Sequence, residues 1–203
     1  MAVHCAIAHC AGEDAMIQRT NLDNLTFDPD AHEYFYRGVP VVSVTQVLQD
    51  LHRTEYFGDK AANKGTLVHE AIRLLLQGNL DSAKVPDAVS GYLIAFEKAL
   101  PQIRQDGGAP ESAVYSPLGY AGTVDWKGYE RVVDYKSGAE AWWHRYQTAA
   151  YAQAIGGKLS RACLYLRSDG TFKIVYHKDK SDVQHFNAAL DGVLLRRKHN
   201  VKG

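Results

Sequence analysis

Cysteine is scarce in this 203-residue chain: three residues, Cys5, Cys10 and Cys163, an odd number with no CxxC pair. That argues against a disulfide framework and for reduced thiols in a cytosolic compartment. Long apolar runs are missing too. None approaches the roughly 18–20 residues that cross a bilayer, so no membrane association is expected. The N-terminus, MAVHCAIAHCAGED, has neither a basic n-region nor a long h-region and does not read as a signal peptide. There is no P-loop, GxGxxG or GxSxG, which leaves nucleotide-driven motors and serine hydrolases without support. Internal repeats and low-complexity tracts are absent, and the formal net charge is zero.

The neutral total hides an asymmetry. Residues 1–102 carry 8 Lys/Arg against 13 Asp/Glu, and residues 103–203 carry 15 against 10. The basic excess includes Arg196, Arg197, Lys198 and Lys202. Such a run either holds a polyanion locally or complements the dipole of its own helix end. His4, Cys5, His9 and Cys10 match no standard zinc-finger spacing, and no zinc site is expected there.

At this length, with 46% apolar residues, the chain is expected to be one domain with a real core. Residues 1–26 show no clear period and form a segment apart, either partly disordered or a small accessory element. From Phe27 to Val42 aromatic and polar residues alternate, as in a hairpin or a pair of short strands. Ser43 caps a helix through about Leu51. A second helix follows Gly65-Thr66 and ends at Gly78, and a third covers about Asp87 to Arg104.

The period then changes from 3.6 to 2. Strands are predicted at 111–117, 119–128 and 130–136, a helix from Glu140 to Ile155, a hairpin at 161–167 and 171–177, and a last helix over 181–199. This order predicts an α/β (α+β) class with a central mixed sheet flanked by helices.

Chemistry concentrates between Gly122 and Tyr151. Asp134 and Lys136, two apart on a strand, face the same way, and Asp125 on the preceding strand reaches Asp134 across the ladder. Two such carboxylates repel unless they share a cation, and hard oxygen ligands favour Mg²⁺ or Mn²⁺. A divalent ion polarises a phosphoryl oxygen and lowers the pKa of a bound water, and Lys136 can steady the charge that develops. His69 can add an imidazole ligand from a helix, and Glu111 a further or supporting carboxylate. Gln147 and Tyr151, at i and i+4 on one helix face, can contact a phosphate or stack on a base. Of Trp142 and Trp143, one is expected in the core and the other along a single-strand channel.

Taken together, Gly65 to His69, Gly122 to Asp125, Asp134 to Lys136 and Gln147 to Tyr151 resemble, in order, the four motifs of the RecB-like branch of the PD-(D/E)XK nuclease superfamily. The stretch 32–48 is similar, more loosely, to small phage exonucleases and to the mitochondrial genome maintenance exonuclease. The resemblance implies a restriction-endonuclease-like αβββαβ core at about 66–167, a helical arch at 43–104 and a C-terminal hairpin and helix over 171–203. It implies that His69, Asp125, Asp134 and the Tyr135 carbonyl bind Mg²⁺ or Mn²⁺, that Lys136 is the catalytic lysine, and that Gln147 and Tyr151 support the site and DNA binding.

Some relatives hold an iron–sulfur cluster through four cysteines. With three, none suitably placed, no cluster is expected here. The expected activity is a deoxyribonuclease, an exonuclease acting on DNA with a free end in phage or bacterial recombination. Its expected partner is a protein such as a single-strand annealing protein, and its expected location the cytoplasm, that of the bacterial host if phage-encoded. The alternatives are a structure-specific endonuclease on the same fold and a non-catalytic DNA-binding or scaffold module.

Overall fold

A computed structural model describes residues 22–29, 31–51, 59–156 and 158–201. The N-terminal segment through residue 21, with His4, Cys5, His9 and Cys10, lies outside the described residues. The described residues open with a meander of β1 (Leu25–Asp28), β2 (Glu33–Tyr36) and β3 (Val39–Ser43), three strands where the alternation suggested a pair. The extra strand follows from the turn. Tyr36 pairs with Val39 across Arg37 and Gly38, at φ 51° and 76°, the two left-handed residues of a type I′ hairpin. An Arg-Gly turn lacks the usual Asn-Gly signature.

Helix α1 (Val44–Leu51) starts where Ser43 predicts. The Ser43 Oγ accepts from the Gln46 amide and the Gln46 Oε1 accepts from the Ser43 amide, each at 3.0 Å, a reciprocal capping box. Ser43→Ala should cost about 1 kcal/mol in chemical denaturation. Helix α2 (Asp59–Leu76) begins earlier than expected and runs through Gly65, where a Cβ would lie 3.7 Å from the Ser137 Oγ. Then come α3 (Asp87–Ile103), β4 (Ala109–Ser116), β5 (Tyr120–Lys127) and β6 (Arg131–Lys136). Helix α4 (His144–Ile155), β7 (Ser160–Leu166), β8 (Phe172–His177) and α5 (Asp182–Lys198) complete the described chain. Helix α4 starts four residues later than the sequence suggests, because the Ala141 amide is taken by the His144 Nδ1 at 3.3 Å in a preceding turn.

Among the described residues eight strands form one mixed sheet in the order β1-β2-β3-β5-β6-β7-β8, with β4 along the other edge of β5. Pairing is parallel for β3–β5 and β6–β7, and antiparallel elsewhere. Helices cover both faces, as the α/β class requires. On one face Val68 and Ile72 of α2 and Val89 and Phe96 of α3 pack on Trp126, Val133, Tyr135 and Leu164. On the other, Val47 of α1, Ala150 and Ile155 of α4, and Phe186 and Leu190 of α5 pack on Val42, Val114, Tyr120 and Val132. The described helices of the 43–104 stretch are divided between the two faces, α1 on one and α2 and α3 on the other. Among the described residues no helix is long and apolar enough to cross a membrane.

The C-terminal basic run is partly engaged within the fold. Arg196 pairs with Asp50, and the Arg197 guanidinium donates to the Gln46 Oε1 at 3.0 Å, so both tie α5 to α1. Lys202 lies outside the described residues.

Candidate active site

Glu111, Asp125 and Asp134 stand abreast on β4, β5 and β6, at a rung where both ladders are interrupted. The β4–β5 register pairs Pro110 with Trp126 and Ser112 with Val124, which puts Glu111 opposite Asp125 without a pairing of its own. The β5–β6 pairing runs through Lys127–Val132 and Trp126–Val133 and stops, just before Asp125 would meet Asp134. Glu111 has φ 46°, a left-handed backbone inside a strand. Side-chain alternation also breaks here. Val124 packs with the α4 face and Trp126 with the α2–α3 face, although residues two apart on a regular strand share a face. The carboxylates therefore occupy a seam in the sheet.

Backbone groups released by the seam find side-chain partners. The Tyr135 amide donates to the Asp125 Oδ2 at 2.5 Å, and the Tyr135 carbonyl accepts from the His69 Nε2 at 3.1 Å. The other imidazole nitrogen, His69 Nδ1, lies 3.4 Å from the Asp125 Oδ1. His69, Glu111 and Asp125 each offer a donor atom within 4.8 Å of the others, a group fit to hold a metal ion. Sequence reasoning offered Glu111 as a further or supporting carboxylate and grouped Asp134 with the ligands. In the structure Glu111 joins the triad, while the Asp134 carboxylate is paired with the Lys136 Nζ at 2.6 Å. The signal for Glu111 was present in the sequence: symmetric pairing about the turn at 117–119 sets it opposite Asp125.

Electrostatics follow from three acids in a small volume. Burial opposes ionisation of Asp125, but the His69 imidazole, Lys136 and the Tyr135 amide hold its pKa below the usual carboxylate range. Burial pushes Asp134 up to about 6 against the pull of Lys136. Desolvation and the Asp125 charge push Glu111 up to about 7, although its side chain still reaches solvent. Burial works against a charged His69, yet Asp125 outweighs it and lifts the imidazole to about 9. Burial likewise opposes the Lys136 ammonium, and Asp134 raises it all the same. With two cations already drawn in, an additional cation would relieve the remaining repulsion.

Gln147 and Tyr151 sit behind the lysine. The Lys136 Nζ donates to the Gln147 Oε1 at 2.8 Å, and the Gln147 Nε2 donates to the Tyr151 hydroxyl at 3.1 Å. Both side chains are buried, with Tyr151 3% exposed, so its ring has no face open for a base and the stacking expectation is corrected. A Cβ on Gly122 would lie 2.8 Å from the Tyr151 Cε1 and 3.3 Å from the Val44 Cγ2. That close approach accounts for glycine here. Gly122→Ala should shift the Tyr151–Gln147–Lys136 chain and cost about 1–3 kcal/mol in chemical denaturation. Trp143 packs at the core with its ring centroid 5.7 Å from the Lys136 Nζ, whereas Trp142 is half exposed.

No family model and no curated protein matches the sequence. Among solved structures, an alkaline exonuclease from Laribacter hongkongensis aligns at 12% identity over 79% of this chain and 89% of its own, with a TM-score of 0.39, too loose a superposition to compare the two folds. A protein of Eubacterium rectale, provisionally named an exonuclease, aligns at 13% identity over 80% of this chain and 83% of its own, with a TM-score of 0.57. At that identity the likeness is one of fold: the chain shares the mixed α/β architecture of the Eubacterium rectale protein.

Proposed function

We propose that this chain is a divalent-metal-dependent deoxyribonuclease of the PD-(D/E)XK type, acting as an exonuclease. The observation that carries the reading is the seam itself, where three carboxylates, an imidazole and a lysine converge from four elements. Oxygen donors from Glu111 and Asp125 with one imidazole suit Mg²⁺ or Mn²⁺. When bound, such an ion supplies polarisation of a phosphoryl oxygen and acidification of a water.

The protein groups have separate tasks. Asp134 and Gln147 hold the Lys136 ammonium in place to stabilise negative charge gathering on the phosphate. Gln147 is itself held by Tyr151, so the lysine needs little reorganisation during reaction. To offer a lone pair, His69 must surrender its proton and one of its contacts, to Asp125 or to the Tyr135 carbonyl. The likeness to a protein provisionally named an exonuclease favours exonucleolytic over internal cleavage.

The test is digestion of linear single-stranded, linear duplex and circular single-stranded DNA, end-labelled, with Mg²⁺ or Mn²⁺. Cleavage of linear DNA with circles left intact supports the exonuclease. Loss of circles moves the assignment to an endonuclease, and no cleavage by folded protein with either ion removes the enzymatic reading.

A further inference from the structure

Beside the seam, on the same face of the sheet as Lys136, lies a cavity of about 320 Å³ lined by Glu140, Trp142, Arg145, Tyr165, His177 and Lys178, among others. Register fixes where it sits. Lys136 on β6 pairs with Tyr165 on β7, and Tyr165 pairs with Lys173 on β8. Paired positions share a face, so Tyr165 flanks Lys136 and the cavity begins one strand spacing, about 5 Å, away. The turn before α4 forms another wall. There Trp142 adjoins Trp143, the residue whose ring faces the Lys136 ammonium.

The indole of Trp142 is 51% exposed. Leaving so large a ring in water forgoes burial energy that most aromatic side chains gain. It is also held: Tyr146 meets it edge to face, with centroids 5.8 Å apart and planes at 77°. A ring that is exposed and fixed makes a stacking platform at small entropic cost.

The cavity's charges nearly cancel. Glu140 pairs with Lys173 at 2.5 Å, and Arg145 pairs with Asp182 at 2.7 Å and Asp179 at 3.5 Å. Burial, with Arg161 nearby, lowers the His177 pKa and keeps that ring neutral. Among the described residues Lys178 is paired with none of these acids. The cavity therefore offers one flat apolar surface and about one uncompensated cation. Its volume is at the low end for small-ligand sites, enough for a ring system and one phosphate rather than a duplex.

We propose that this cavity is a nucleotide subsite, in which one unpaired base stacks on Trp142 and its phosphate meets Lys178. Its role beside the seam rests on the nuclease reading, but the binding does not require cleavage. A base inside a duplex has no open face to present, so the strand leaving Lys136 on this side must be single there. The occupant is either a nucleotide of that strand or a released mononucleotide, and both have the same chemistry.

The test is fluorescence anisotropy of a labelled oligothymidylate with the full chain in EDTA, where no cutting can obscure binding. Base–aromatic stacking is worth about 1–3 kcal/mol, so Trp142→Ala should weaken binding roughly 5- to 150-fold, and Trp142→Phe should restore much of it. Lys178→Ala should lower the salt slope by about 0.7, the share of one phosphate on a single strand. Competition by thymidine monophosphate assigns the subsite to the mononucleotide as well, and failure to compete assigns it to the strand alone. Unchanged affinity in folded Trp142→Ala, or no rescue by phenylalanine, overturns the subsite. If the wild type cuts no DNA yet binds through Trp142, the nuclease reading fails and the subsite stands. If it cuts while Trp142→Ala binds normally, the reverse holds.

Discussion

Replacing Lys136 with alanine is expected to reduce DNA cleavage by at least about 1,000-fold while leaving the chain folded. The first half follows from where the ammonium sits: 2.6 Å from Asp134, 2.8 Å from the Gln147 amide oxygen, and beside the His69–Glu111–Asp125 group. Among the described residues no other lysine or arginine forms an ion pair with Asp125 or Asp134. The second half follows from Asp134. Stripping a counter-ion from a buried carboxylate is ordinarily severe. Here the carboxyl is already pushed up to about 6 by burial and can take up a proton, which caps the cost. Lys136→Met, which keeps the apolar stem, should be folded and equally inactive. Circular dichroism and end-labelled digestion on the same preparations check both halves. A folded Lys136→Ala protein with wild-type cleavage would remove Lys136 from the chemistry.

The largest effect on stability is expected from Asp182→Ala, about 3–5 kcal/mol, or roughly 6–20 °C in melting temperature for a chain of this size. Asp182 is 1% exposed at the start of α5, and its two oxygens are divided between two arginines. One takes the Arg161 Nη2 at 2.9 Å and the other the Arg145 Nε at 2.7 Å. Arg161 also donates to the Arg145 and Asp179 carbonyls, so β7, α4 and α5 meet at one knot. Removing the carboxylate leaves the nearly buried Arg161 guanidinium without its main counter-charge. Asp182→Asn keeps an acceptor and should lose less. Thermal denaturation of the two variants separates lost charge from lost hydrogen bonds. Arg145 lies two residues before Gln147 on α4, so cleavage should weaken well below the melting temperature.

Much of the fold could be read from periodicity. The change from 3.6 to 2 after Gly108 marked the passage from helices to sheet, and Ser43 marked the first helix start because its cap is a local interaction. What failed were features set by tertiary contact. Helix α2 runs through Gly65, and the turn before α4 is fixed by His144 and by the Glu140–Lys173 pair from β8. In the site, the proximity of Asp125, Asp134 and Lys136 was legible from strand spacing. The seam was not, since nothing in a sequence announces that a ladder will open at one rung. Neither was the inward turn of Gln147 and Tyr151, which depends on the missing side chain at Gly122. The Asp182 knot joins residues from three separate elements and left no local pattern.

The left-handed backbone at Glu111 bears on how this chain responds to selection. A strand interior asks for extended geometry, and an L-residue at positive φ gives up of order 1 kcal/mol. Glycine or asparagine would sit there with less strain, but either would delete the carboxylate that meets His69 and Asp125. Variant libraries sorted for heat resistance and for DNA cutting should therefore diverge at this one codon, the first drifting away from glutamate and the second retaining it. Which residue survives at 111 would report which pressure acted.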